Sequence, residues 1–288
     1  METHNVLITG ATGNVGNELL KKLKVVDNVN IYAAGRNISK TKKIIDEDKI
    51  NYVRLDFKDE STYKSALKDI DTVFLMRPPA ISKVKKYIYP FLVEMKEANI
   101  NQVVFLSLQG GDKNIVVPHY KIERYIENLD IPYTFLRPSF FMQNLSTTHL
   151  KEIKEDNEIF IPAGQGKTNF IDVRDIAEVA KKVILEENHL EKGYELTGPD
   201  NLDYYQIAEI MSGILNKEIK YKNPSIFQFF KQKRSEGYSI MNIFVMIGLY
   251  SVTKFGFAAK KTEELKNILD REPISFDQFV RDIKEIWL

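Results

Sequence analysis

The stretch NVLITGATGNVGNELLKKLK, residues 5–24, constrains the fold of this chain more than any other segment. A short apolar run stops at Gly10, further glycines follow at 13 and 16, and a segment of helical period begins. Glycine reaches positive φ without a Cβ penalty and lets the backbone approach a ligand closely. A helix opening behind such a turn aims unpaired N–H groups and its positive dipole end at whatever lies there, which suits a pyrophosphate. Between a strand and a helix, this glycine spacing is a dinucleotide-binding fingerprint. Gly10, Thr12, Gly13, Asn14, Val15 and Gly16 are therefore expected to hold phosphate, with Gly16 allowing the helix to pack tightly on the strand.

The pattern then repeats. VNIYAAG, INYVRLD, DTVFLM, NQVVFLSL and IPYTFLRP read as further strands, separated by segments of helical period such as 84–100 and 120–129. Near-continuous apolar strands alternating with helices predict an α/β fold, a Rossmann-type doubly wound parallel sheet covered on both faces. After Pro138 the rhythm changes, and from Leu202 it is mostly helical. The expected organisation is a dinucleotide-binding domain over 1–200, with a cleft-forming segment at about 139–169. A smaller, mostly helical substrate region is expected over 201–288, and 170–196 is expected to pack back onto the first domain.

Composition narrows the function. Lys and Arg number 41 against 40 Asp and Glu, so there is no basic excess of the kind nucleic-acid-binding proteins carry. There is no cysteine, which removes disulfides, thiolate metal sites and a cysteine nucleophile. The histidines at 4, 119, 149 and 189 never fall at i, i+3 or i, i+4, so no metal is expected. METHNVLITG enters a strand without a leader pattern, and a cytoplasmic location is expected. The apolar run IFVMIGLY at 243–250 is far shorter than the roughly 20 residues of a membrane span, and reads as a buried helix. No membrane partner is expected.

An NAD-selective site normally places an acid at the end of the second strand. Here that strand ends AAGRNISK, where Arg36, with Lys40 nearby, suits a 2′-phosphate, so NADP(H) is preferred over NAD(H). Asp56 and Phe57 end the third strand, where adenine is expected, and Met76, Arg77 and Pro78 end the fourth, toward the nicotinamide. The loop PAGQGKTNF holds G-x-G-K-T, but Pro162 stands at the first glycine of a phosphate loop and a strand follows, so ATP is not expected.

The glycine motif at 10–16, the basic residue after the second strand, VVFLS, IPYTFLRPSFFMQN and FIDVRDIAEVA together resemble the NmrA-like, atypical branch of the short-chain dehydrogenase/reductase superfamily. The resemblance implies kinship with NADPH-dependent quinone and triphenylmethane-dye reductases, isoflavone-reductase-like enzymes, NADP(H)-sensing regulators and nucleotide-sugar epimerases. It also implies a Ser, Tyr and Lys at the reacting centre, the last two spaced YxxxK. Ser107 matches the serine and is expected at the cofactor as well, but the tyrosine and lysine positions fall near Ile115 and His119, and neither matches. The only YxxxK is Tyr250 to Lys254, far from Ser107, and reads as coincidence. His119 is left as the candidate proton donor, with Tyr120 or Lys121 as substitutes in a shifted register. Phe140, Phe141 and Met142 are expected to offer apolar walls to a substrate.

The expected function is hydride transfer from NADPH to a small apolar acceptor such as a quinone. One alternative is a non-enzymatic NADP(H) redox sensor acting on a protein partner. A nucleotide-sugar epimerase or dehydratase is a second, disfavoured by the missing YxxxK.

Overall fold

Seven parallel strands form the sheet that the apolar runs predict. The computed structural model describes residues 3–288. These fall into two compact units, 3–138 with 173–196, and 139–172 with 197–288.

In the first unit, β1 (His4–Ile8), β2 (Val29–Gly35), β3 (Ile50–Arg54), β4 (Thr72–Met76), β5 (Gln102–Leu106) and β6 (Tyr133–Pro138) follow one another along the chain. The second unit holds β7 (Glu158–Phe160) and β8 (Thr168–Asn169); the chain then returns to the first with β9 (Lys192–Leu196). The sheet order is β3-β2-β1-β4-β5-β6-β9, all pairings parallel. The order reverses between β1 and β4, and ligands of such sheets bind at the carboxyl ends of strands beside that switch point. All five residues of β5 are buried, as a strand covered on both faces requires.

The helices of this unit are α1 (Asn14–Leu23), α2 (Ile38–Ile45), α3 (Tyr63–Ala66), α4 (Val84–Tyr87), α5 (Tyr89–Glu97) and α6 (Pro118–Asn128), with α8 (Val173–Leu185) contributed later in the chain. Helix α1 buries Val15, Leu19, Leu20 and Leu23 and packs against α8, where Lys22 pairs with Glu178 at 2.7 Å. The single helical segment expected over 84–100 is broken at Ile88, because Pro90 in the first turn of α5 has no N–H to continue the ladder of α4.

The second unit contains α7 (Leu150–Glu155), α9 (Tyr204–Leu215), α10 (Ile226–Ser235), α11 (Ile240–Lys254), α12 (Glu264–Leu269) and α13 (Phe276–Ile283). Two small sheets pair β8 with β10 (Asn201–Leu202) and β7 with β11 (Lys220–Lys222). Its core gathers Met142, Ile153, Tyr204, Phe276 and Trp287, and the Trp287 indole donates to the Leu145 carbonyl at 3.1 Å. The stretch between β6 and α7 is mostly irregular, with a single 3₁₀ turn at Met142–Asn144. Helix α11 also departs from expectation. It is only half buried: Ile243, Tyr250 and Thr253 are buried and Met246 and Ile247 pack partly buried against the core, while Ile240, Met241, Phe244, Val245, Leu249 and Val252 are exposed.

Candidate functional site

The glycine turn lies at the carboxyl end of β1. Gly10 has φ +63°, and the Gly13 N–H donates to the Gly10 carbonyl at 2.9 Å. A Cβ on Gly16 would stand 2.3 Å from that same carbonyl oxygen, so no larger residue fits without moving the backbone. Thr9 fixes the turn to β4: the Met76 N–H donates to Thr9 Oγ1 at 2.7 Å, and that hydroxyl lies 3.1 Å from the Phe74 carbonyl. Helix α1 opens at Asn14 with no side-chain cap and no acid in its first turn. Its leading N–H groups are therefore available to an anion. Thr12 and Asn14 are exposed there, whereas Val15 turns into the core.

Arg36 follows β2, the strand beside β1. The turn is tight, since a Cβ on Gly35 would meet Thr41 Oγ1 at 2.0 Å, and Asn37 caps α2 by accepting from the Lys40 N–H at 2.9 Å. Arg36 itself is exposed and forms no ion pair among the described residues. Beyond β3, Asp56 accepts from the Lys58 N–H at 3.0 Å, while the Phe57 ring is buried edge-on against Phe91 at 5.4 Å. Of those two expected adenine neighbours, only Asp56 offers its side chain outward.

Arg77 spans the loop after β4. Its Nη1 donates to the carbonyls of Pro78 at 3.0 Å, Pro79 at 3.2 Å and Ile81 at 2.7 Å, and burial lowers its pKa. Its Nε is buried without a partner. Arg77 therefore braces this loop and supplies a nearby positive charge.

That charge acts on His119, the second residue of α6. The imidazole stacks on Phe105 with centroids 6.0 Å apart, and its Nδ1 is buried without a hydrogen bond. Burial first, and the Arg77 charge second, bring its pKa down to about 3. That shift favours the uncharged imidazole at neutral pH, a form that can still exchange hydrogen bonds.

Ser107 at the end of β5 is buried and donates to Glu123 Oε1 at 2.6 Å. Glu123, fully buried on α6, also receives Arg137 Nε at 3.1 Å and Nη2 at 2.7 Å. Burial opposes the Arg137 charge, but Glu123 outweighs it and the Arg137 pKa is raised. A Cβ on Gly111 would come 2.7 Å from Ser107 Oγ, so glycine there leaves room for the hydroxyl. Sequence reasoning passed over Glu123 and Arg137; the available signal was a carboxylate on the apolar stripe Ile122, Glu123, Ile126. Tyr120 and Lys121 lie on a groove whose lining does not include Ser107. With Ser82, Lys83, Lys85, Lys86, Arg124 and Tyr125 they line this surface groove of about 460 Å³.

In the second unit, Met142 is fully buried in the core, while Phe140 and Phe141 are half-buried and their backbone pairs with Ile171. Tyr250 is also buried: its hydroxyl meets His149 Nε2 at 2.5 Å, and burial raises its pKa strongly. His149 Nδ1 contacts Glu152 at 2.5 Å, and Lys233 reaches Glu152 at 2.7 Å and Glu236 at 2.8 Å. Of the YxxxK match, Tyr250 thus belongs to a buried polar network, while Lys254 is exposed with its stem beside Gly164.

The fold recurs in solved structures. An NADPH-dependent quinone oxidoreductase (QOR2) of Escherichia coli, solved with NADPH, superposes with a TM-score of 0.85 at 22% identity, over 97% of this chain and 99% of that one. Prestalk A differentiation protein A of Dictyostelium discoideum is 28% identical over 279 residues, 96% of this chain and 92% of the relative. The uncharacterized oxidoreductase YesF of Bacillus subtilis is 27% identical over 291 residues, 100% of this chain and 98% of its own length. The model of the NmrA-like family matches residues 2–280, and the chain belongs to that family.

Proposed function

We propose that the protein is an NADPH-dependent reductase that delivers hydride to a small apolar acceptor of the quinone type. The observation that carries this reading is the uncapped start of α1 behind a turn that admits no Cβ, with the unpaired Arg36 one strand over. The residues present fit a dinucleotide: Gly10 to Gly16 and the first turn of α1 would take the pyrophosphate, and Arg36 the 2′-phosphate. When bound, a reduced nicotinamide supplies the hydride.

The chain's own residues supply position and electrostatics. Met76 and the Arg77-braced loop stand at the end of β4, beside the turn that Thr9 secures. Ser107 has its proton committed to Glu123, and neutral His119 offers a hydrogen bond without a charge. Neither is arranged as a strong acid, which favours an acceptor that takes its proton from solvent over a sugar. Phe140 and Phe141 are the apolar side chains proposed to meet the acceptor. The QOR2 likeness and the oxidoreductase relative support this reading.

The test is NADPH oxidation by purified protein against quinones, dyes and enones, with bound cofactor measured in the same samples. Saturable quinone turnover with KM for NADPH raised about 10- to 100-fold in Arg36→Ala, the loss of a charged hydrogen bond, supports the reductase. Tight, saturable NADPH binding without turnover on any acceptor favours the second reading, a redox sensor. The inward commitment of Ser107 speaks for that alternative.

A further inference from the structure

The α10–α11 hairpin carries an apolar face that nothing among the described residues covers. In α11, Met241, Phe244, Val245, Leu249 and Val252 recur at helical spacing on one side, and Phe255 and Phe257 extend it past the helix end. Phe230 of α10 meets Phe244 at 5.9 Å, and one turn earlier Ile226 and Phe227 are exposed. The exposures are high: 68% for Met241, 75% for Phe227 and 77% for Phe257. Phe227, Phe244, Phe255 and Phe257 alone leave on the order of 500 Å² of aromatic surface open. That already matches the largest apolar patch of an ordinary monomer, roughly 300–600 Å².

The same segment concentrates positive charge. Between Pro224 and Lys261 stand Lys231, Lys233, Arg234, Lys254, Lys260 and Lys261, against the single acid Glu236. Over the whole chain the net charge is only +1. Lys233 turns inward to Glu152 and Glu236, while Lys231, Arg234, Lys254 and Lys261 are exposed. Lys231 follows Phe227 by one helical turn, and Lys254 adjoins Phe255. Aromatic and aliphatic side chains ringed by lysine and arginine are what a helix lying in a lipid interface presents: rings enter the acyl boundary while cations stay at the headgroups. An isologous contact with a second copy would bring this cationic rim against itself, with one acid to offset it.

We propose that the α10–α11 face docks the protein on the surface of an anionic lipid bilayer, as a peripheral attachment. It is independent of the acceptor. Among the described residues no helix is long and apolar enough to cross a membrane, so the attachment lies on the bilayer and does not span it.

The test is co-sedimentation of the full chain with vesicles of phosphatidylcholine alone and with about 30% phosphatidylserine, a surface rich enough in charge to attract basic residues. The expected result is partition onto the anionic vesicles only, weakened at high salt. Lys231→Glu and Lys254→Glu should each weaken it by about fivefold or more. Phe227→Ser combined with Phe257→Ser should abolish it while leaving the thermal midpoint and the circular dichroism unchanged, since both rings are exposed. No partition onto either vesicle would overturn the proposal. So would dimerisation in solution that the phenylalanine substitutions abolish, which would assign the face to a second copy.

Discussion

Ser107, Glu123 and Arg137 form the most informative group of side chains in the first unit. Glu123→Ala leaves a largely buried guanidinium without its carboxylate, and should cost about 3–5 kcal/mol in a urea melt. Ser107→Ala removes one neutral-to-charged hydrogen bond and should cost about 1.5–3 kcal/mol. Because that hydroxyl points to Glu123, quinone turnover by Ser107→Ala should remain within a few-fold of the parent. A thousandfold loss of kcat with unchanged stability would give Ser107 a chemical role instead. His119 makes a separate prediction. Its pKa is depressed from 6.5 to about 3 in the folded state. The unfolded chain therefore binds more protons in that window, and the stability contribution is complete above 6.5 and lost as pH falls toward 3. Thermal midpoints measured from pH 7 to 4 should fall more steeply for the parent than for His119→Phe. Ser107 could be picked out from the sequence because it matches the serine that the family resemblance implies, whereas its partner could not, since Glu123 and Arg137 meet only once α6 lies on the sheet.

At the scale of elements, the strand–turn–helix unit was readable because everything it needs is local. Positive φ at Gly10, the Cβ exclusion at Gly16 and the open first turn of α1 follow from seven consecutive residues. Gly16→Ala should therefore destabilise the fold by about 1–3 kcal/mol, the usual cost of overpacking, and weaken NADPH binding with it. A variant of parental stability and affinity would show that the turn has room the structure denies. The α4–α5 break was signalled by Pro90 itself, but apolar periodicity ran through it and read as one helix. Helix α11 misled in the opposite way: an apolar run reads as buried, and periodicity does not say that one face goes unpaired. The network of His149, Glu152, Lys233 and Tyr250 joins residues up to 101 positions apart, beyond what spacing reveals.

The whole molecule assigns the sheet, the glycine turn and α8 to one compact unit, and α9 to α13 to the other. The parallel, doubly wound sheet was legible in outline, since β1 to β6 alternate with helices along the chain, whereas its strand order was not. The return of 173–196 to the first unit was visible as a helix and strand following the Gly-rich turn, but the departure at 139–172 blurred the boundary there. The proposed function rests on an NADPH site in the first unit, formed by the uncapped start of α1 and by Arg36. Calorimetric titration of the purified protein with NADPH and NADH, repeated on Arg36→Ala, tests it most directly. One NADPH per chain, preferred over NADH by about 10- to 100-fold, is the predicted result, with the preference lost in the variant. Equal affinity for the two nucleotides, or no binding of either, would contradict it.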